Sequence, residues 1–410
     1  MEASTEAVRE FYELFPYPSG APTLRIGFDI RYLMSLVRME RPTDRPIRIL
    51  DAGCSRGVGA LACATLQPDV QVLGVDINRI ALEEAQQEAT RRGLNNVEFA
   101  EVDLSTLAGL DVPEGGFDVI MSSGVLHHLL DPAEGLRLLK GALAPHGVLA
   151  LMVYSKSGRR EILEISQAID ALVNKNQALP AQLADAREVV RVVSQKPNAP
   201  SAWKDAYRVD DVEFVDRYLH IQECVYDVPG LFKLIAQGGL SFLRWMDPPA
   251  WQAKSADLDS DLLQKARALS PMKSARLVDN LRLGPRIMEV YLCQPENRAR
   301  PMPIPEGLAH AVFAVHPEVR FHTVQRNIWC ATRIEVMSIE RRNDEVTPVP
   351  PGPLTAIALV LRDQNEPFQG QSLISAMVEE GHSPESVTKA ILHAIDQEWV
   401  YCPHAVDLVY

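Results

Sequence analysis

The run Ile49-Leu50-Asp51-Ala52-Gly53-Cys54-Ser55-Arg56-Gly57 limits what this chain can become more than any other stretch of it. A short apolar segment, Ile47 to Leu50, ends in an acid, crosses a glycine-bearing turn and enters a run of small residues, Val58 to Leu66. That order reads as a strand, a tight turn and the N-terminus of a helix. Glycine has no Cβ, so at Gly53 and Gly57 the backbone can turn sharply and lie close to a ligand. The first N–H groups of the helix lack partners within it, and its dipole is positive at that end. A carboxylate or a phosphate suits such a place.

From Arg48 onward strands and helices alternate, the pattern of a parallel sheet covered by helices on both faces. Strands are predicted at Ile47–Leu50, Val70–Val75, Val97–Glu101, Val119–Ser122 and Val148–Val153. The helices between them include Ile80–Arg92, stopped by Gly93, and Ala133–Leu143, opened by Asp131-Pro132. In such a sheet the ligand sits outside the carboxyl ends of the strands. The polar residues to inspect are therefore Asp51, Asp76, Asp103 and the segment Ser122 to His128. Asp76 follows the glycine turn by ~20 residues, the spacing at which an acid accepts both hydroxyls of a ribose. Its plainer reading is a cap for the next helix. Asp103 can accept the amino group of an adenine, or it can be another cap.

Charge and cysteine usage remove several classes. The chain has 410 residues, more than one ordinary domain, and a formal net charge of −13. Sequence-independent binding to nucleic acid or to an anionic membrane needs basic surface and is not expected. Cys54, Cys63, Cys224, Cys293, Cys330 and Cys402 are scattered without a C-x-x-C pair, so no metal site or disulfide framework is legible. No run approaches the ~20 apolar residues of a membrane span, and the N-terminus lacks an apolar signal core. A soluble cytoplasmic protein without a metal is expected.

Five motifs then follow in order: Asp51 to Gly57, Gly74-Val75-Asp76, Val102-Asp103-Leu104, Phe117 to Leu129, and Leu143 to Leu149. Together they resemble the class I S-adenosylmethionine-dependent methyltransferases. One departure exists: Ser55 stands where the family often has glycine. The resemblance implies an α/β, Rossmann-like, seven-stranded, mostly parallel sheet whose last strand is antiparallel. It also implies S-adenosylmethionine as cofactor and S-adenosylhomocysteine as product. Gly53, Cys54, Ser55 and Gly57 would pass the methionine part, and Asp51 would receive its amino group directly or through water. Asp76 would hold the ribose and Asp103 the adenine amino group, with Ile77 and Leu104 also in the expected cofactor set. Ser122 and Tyr12 complete the expected cofactor set.

Methyl transfer displaces an already activated group, so what remains is to position the nucleophile and remove its proton. His127 and His128 follow the fourth strand, and an imidazole titrates near neutrality. A His-His pair at this point of the family is often scaffold for the cofactor pocket instead. Tyr17 is the third catalytic candidate. It lies in Pro16-Tyr17-Pro18, after an amphipathic helix over residues 3–15 that carries Phe11 and Tyr12. A second helix follows from Phe28 to Met39. These rings serve either as a lid over the ligand or as hydrophobic packing.

The chain divides into an N-terminal helical lid (1–45), a methyltransferase domain (46–295), a proline-rich linker (296–305) and an accessory domain (306–410). Within the second, residues 156–225 form a helical insertion expected to cover the acceptor site. Asp216, Tyr218 and His220 are its acceptor-binding candidates; an interdomain or dimer contact is the alternative. In the accessory domain, strands are predicted at Ala311–Val315 and Ile328–Met337, followed by the stiff run Pro348 to Pro353. A helix, a tight turn, a helix and a strand over residues 372–401 then suggest a winged-helix-like module. Residues 371–410 hold six acids against one base, Lys389, which argues against nucleic acid as partner. Homodimerisation or capture of a peptide suits it better.

The expected activity is methyl transfer to a nitrogen or oxygen of a small metabolite or peptide. The alternative is a protein lysine methyltransferase, since the aromatic N-terminus and large tail resemble bacterial enzymes of that kind with an added domain. A nicotinamide-dependent oxidoreductase is disfavoured because Asp51 stands before the turn and a third glycine is missing. A non-catalytic binding module is disfavoured because Asp51, Gly53, Gly57 and Asp76 are all present.

Overall fold

The computed structural model describes residues 5–15, 30–252, 260–300, 303, 305–316, 319–328, 331–341 and 345–403. Two compact units emerge, one made of residues 1–27 and 44–298, the other of 28–43 and 299–410. The first opens with α1 (Thr5–Leu14), whereas α2 (Ile30–Ser35) belongs to the second. The first unit continues as β1 (Ile47–Ala52), α3 (Val58–Leu66), β2 (Val70–Asp76), α4 (Arg79–Arg92), β3 (Val97–Glu101) and β4 (Phe117–Ser123). Next come α5 (Pro132–Ala142), β5 (Leu143–Tyr154) and four helices, α6 (Arg160–Asp170), α7 (Leu179–Ser194), α8 (Ser201–Arg208) and α9 (Asp211–Tyr218). It closes with α10 (Val228–Gln237), β6 (Ser241–Trp245), α11 (Ser260–Arg267), α12 (Pro271–Asn280) and β7 (Ile287–Cys293).

The seven strands form one sheet in the order β3-β2-β1-β4-β5-β7-β6. β1 to β5 pair in parallel, and β7 enters between β5 and β6 antiparallel to both. Strands covered on both faces must be apolar on both faces. Ile49, Leu50, Val119, Ile120, Leu149 and Leu151 are accordingly wholly buried. Asp51 lies opposite Gly74 on one side and Met121 on the other, so the carboxyl ends of three strands share one edge. Helix ends are set by local chemistry: Asn78 caps α4 through the Ala81 N–H, and Gly93 stops it in the left-handed region. At the opposite end of the sheet Asp118 takes a two-pronged contact from Arg45 (2.6 and 2.8 Å) and another from His146.

The insertion α6–α9 builds its own apolar layer around Ile165, Ile169, Ala186, Val190 and Phe214, and Phe11 of α1 is buried in it. The 195–200 loop falls between α7 and α8, as its Pro and Asn content suggests.

The second unit holds two small antiparallel sheets. One contains β8 (Val312–Val315) between β12 (Phe368–Gln369) and β13 (Val400–Tyr401); the other contains β9 (Arg320–Ile328), β10 (Ala331–Arg341) and β11 (Glu345–Pro348). Helices α13 (Pro353–Arg362), α14 (Gly370–Glu379) and α15 (Pro384–Asp396) pack around Phe313, Ile357 and Ile391. The expected helix–turn–helix–strand is therefore present as α14, α15 and β13. Two elements differ from the sequence reading. Strand β9 carries Arg320, His322, Gln325, Arg326 and Asn327 and earns its conformation from pairing with β10. Helix α13 starts at the end of the proline run, because a proline fits the first turn of a helix. In α2, Tyr32 donates to Glu398 (2.8 Å) and stacks edge-on to His316 (4.3 Å), which ties residues 28–43 to this unit. Among the described residues, no helix is long and apolar enough to cross a membrane.

Candidate active site

The turn after β1 is built by its own backbone. Gly53 and Cys54 donate N–H to the Val75 carbonyl at 2.8 and 2.9 Å, and Gly57 to Cys54 at 2.8 Å. Gly53 has φ +84°, and a Cβ there would overlap Val125; Gly57 has φ +75°, and its Cβ would meet Ala85 and Phe99 at 2.9 Å. Both positions exclude side chains on two counts. Ser55 also takes the left-handed region (φ 47°) and donates its N–H to Asp76 Oδ2 at 2.8 Å. No side chain caps α3, whose start faces this turn.

Two acids stand at the strand ends beside it. Asp51 is buried, and burial raises its carboxyl to about 7, against the N–H of Ala60 and with help from Asp76. It has no cationic partner among the described residues. Desolvation also raises Asp76, opposed by the N–H groups of Asn78, Ser55 and Ile77. Asp76 thus spends lone pairs on the turn, but a carboxylate has about four and keeps capacity for hydroxyl donors. Asn78, whose N–H bonds Asp76 (2.9 Å), donates its side-chain amide to the Tyr12 carbonyl at 2.9 Å. Ile77 is half-buried, and Cys54 is buried with its thiol pushed up by desolvation. Asp103 caps its own turn through the Ser105 N–H (2.8 Å), while Leu104 lies in the apolar core. Ser122 is fully buried with an unpartnered hydroxyl.

A second cluster forms where α1, β5 and the insertion meet. His127, His128 and His220 stack in series, with ring centroids 4.2 and 3.9 Å apart, and Tyr154 covers His127 at 4.0 Å. His128 Nδ1 donates to the Gln222 carbonyl at 2.9 Å. The Gln222 N–H donates to His220 Nδ1 at 3.0 Å, which places the proton of that neutral ring on Nε2, 3.1 Å from the Tyr12 hydroxyl. Tyr12 in turn donates to Asp216 at 3.4 Å. Burial lowers all three imidazoles, His128 to about 4 and the others well below their usual value. Burial raises Asp216 to about 7 against the pull of Arg159. Arg159 lies over the Tyr154 ring (3.9 Å) and forms a two-pronged pair with Glu223.

Of the residues singled out from sequence, Tyr12, His127, His128, Asp216 and His220 come together here. Tyr218, also on α9, instead packs on Phe214 in the helical layer. Tyr17 lies outside the described residues. Tyr154, Arg159, Gln222, Glu223 and Asn78 escaped the sequence reading. Tyr154 ends β5, so the strand-end rule would have found it. Arg159 and Glu223 are separated by 64 positions and carry no local signal.

Comparisons with known proteins bear on the fold and the family. Residues 43–210 match a family model described as a methyltransferase domain. An uncharacterized protein of Synechococcus is 32% identical over 294 residues, covering 68% of this chain and 69% of that protein. A ubiquinone biosynthesis O-methyltransferase of Albidiferax ferrireducens is 30% identical over 118 residues, 29% of this chain and 45% of its own length. Among solved structures, PKMT2 from Rickettsia typhi in complex with AdoHcy has TM-score 0.67 at 18% identity, covering 95% of this chain and 78% of that one. The chain belongs to the class I S-adenosylmethionine-dependent methyltransferases, and S-adenosylmethionine is its cofactor.

Proposed function

We propose that the chain methylates the side-chain amine of a lysine in a peptide or protein. The cofactor brings a methyl group activated on a sulfonium sulfur. Asp51 would hold its ammonium: a buried carboxylate with no cationic partner among the described residues fits a cation arriving beside it. Asp76 would hold the ribose hydroxyls, the Gly53–Gly57 turn would give the backbone approach that only glycine allows, and Asp103 would take the adenine amino group. Ile77, Leu104, Cys54 and Ser122 would shape the walls.

The observation that carries the amine reading is the charge at the second cluster. The three imidazoles are neutral, Arg159 is paired with Glu223, and Asp216 is left over as a single negative charge once ionised. A cationic ammonium complements that charge, and a carboxylate acceptor would be repelled. The fold likeness to PKMT2 from Rickettsia typhi extends over both units. The acidic run over residues 371–410 suits capture of a basic peptide, with homodimerisation as the other use of that unit. Five cysteines are free among the described residues, in keeping with a reducing cytoplasm.

A small-metabolite acceptor is the second reading, favoured by the segment similar to the ubiquinone biosynthesis O-methyltransferase. The two are separated by incubating the chain with methyl-labelled S-adenosylmethionine and either poly-L-lysine or a panel of small amines and phenols. Label in poly-L-lysine supports the first reading; label only in the small compounds replaces it with the second.

A further inference from the structure

An ammonium has no lone pair, so a lysine nitrogen must lose a proton before it can take a methyl group. Four titratable groups, three imidazoles and one carboxyl, meet at the second cluster, and their hydrogen bonds separate them. His220 receives an N–H on Nδ1 and gives its own proton from Nε2 to Tyr12, so its ring has no lone pair left. His127 lies fully buried between the rings of His128 and Tyr154 with neither ring nitrogen hydrogen-bonded, and burial holds its pKa well below the usual value, which makes it a weaker base than Asp216. His128 keeps a lone pair on Nε2, but burial and Arg159 push its pKa down to about 4, and so weak a base does not strip an ammonium well. Asp216 remains.

The Tyr12 hydroxyl has one proton and two lone pairs. Its proton faces Asp216, one lone pair takes the His220 Nε2–H, and among the described residues the other is left over. We infer that Tyr12 and Asp216 form a proton relay, in which the acceptor's N–H proton moves to the Tyr12 oxygen while the Tyr12 proton moves to the Asp216 carboxylate. The N–H bond and the original Tyr12 O–H bond break, a new O–H bond forms on each oxygen, and the nitrogen keeps the electron pair. Ammonium and carboxylate become amine and carboxylic acid, so charge balances and no further reactant is needed. In this relay Tyr12 is the group that meets the acceptor and so the catalytic residue; Asp216 acts through it, and His220 orients it. Facing Asp216 are Tyr12, Arg159, Glu213 and Glu223; Arg159 favours its ionised form and the two glutamates oppose it. Burial, the largest influence, raises the carboxyl to about 7, so it exchanges a proton near neutral pH.

The relay rests on the amine reading, and the test keeps the two apart. With methyl-labelled S-adenosylmethionine and poly-L-lysine, the rate of the full chain rises along a limb that levels off near pH 7. Asp216→Asn loses that limb and is about 100-fold slower at neutral pH, the size of a general-base contribution. Its residual rate climbs with pH as free amine forms, its S-adenosylhomocysteine affinity is unchanged, and Asp216→Glu restores the limb. Tyr12→Phe loses the limb as well, and carries the test should Asp216→Asn fail to fold. A limb that survives in both variants, or that disappears in His128→Gln instead, overturns the relay. Infrared titration needs no acceptor and is run on Asp51→Asn, which removes the other carboxyl raised to about 7: a carboxyl band that titrates near pH 7 there and vanishes when Asp216→Asn is added supports the relay, and its absence from Asp51→Asn overturns it. No label in poly-L-lysine from the unmodified chain overturns the amine reading itself, whatever the infrared result.

Discussion

Asp51 shows how one residue can record a ligand before the ligand arrives. Its carboxyl is raised to about 7 chiefly by burial, so the ligand-free chain keeps it protonated below that pH. A cation bound beside it favours the carboxylate and lowers the pKa, so binding at mildly acidic pH must release a proton. Calorimetry of S-adenosylmethionine in buffers of different ionisation enthalpy should show close to one proton released at about pH 6 and almost none at about pH 8. Asp51→Asn should abolish that difference; an unchanged release would place the proton elsewhere. Gly53 makes a second residue-scale case. Gly53→Ala puts a Cβ into Val125 at positive φ, so the turn has to shift. A loss of melting temperature equivalent to about 1–3 kcal/mol is expected, with cofactor affinity falling too; a variant of native stability and affinity would contradict the geometry.

At the scale of elements, α1 is tied to the sheet side of the unit by its backbone and by Arg9, besides the Tyr12 hydroxyl bonds and the burial of Phe11. The Tyr12 carbonyl takes the Asn78 amide, and Arg9 pairs with Glu101 at 2.5 Å. Asn78→Ser keeps a helix cap but cannot reach Tyr12. Losing a bond of about 1 kcal/mol should speed amide exchange in α1 by roughly fivefold while α4 is unaffected; equal exchange in both helices, or a loss confined to α4, would count against the tether. The Arg159–Glu223 pair joins the segment after β5 to the one before α10. Arg159→Met strands a buried carboxylate and should cost about 3–5 kcal/mol in denaturant unfolding, much of it recovered by adding Glu223→Leu. Equal instability of the single and double variants would refute that account. These ties also show what a sequence can disclose. Asp51, Gly53, Gly57 and Asp76 were legible because a strand, a turn and a strand-end acid are fixed by neighbours and by short spacing. The Tyr12–Asp216 contact spans 204 positions and exists only because α9 folds back over α1, which no local pattern announces. Strand β9 escaped for a related reason: its polar residues make sense only once β10 lies beside them.

For the whole molecule, the division into two units has a consequence for cutting it. Residues 28–43 lie in the second unit, where Ile30, Leu33, Met34 and Val37 are buried. A chain truncated after Arg298 would expose those four side chains and should aggregate, whereas one lacking residues 28–43 as well should stay monodisperse in light scattering. Equal behaviour of the two would contradict the division. The central claim is that the carboxyl edge of β1 and β2 holds S-adenosylmethionine. Calorimetric titration of the full chain with S-adenosylhomocysteine, with NAD as control, tests it most directly when repeated on Asp76→Ala. Two charge-assisted hydrogen bonds of about 1.5–3 kcal/mol each predict a loss of at least ~100-fold in affinity, with the sheet intact although the Ser55 and Asn78 N–H groups lose their acceptor, and no NAD binding in either protein. Equal affinity in both proteins, or binding of NAD in place of S-adenosylhomocysteine, would contradict it.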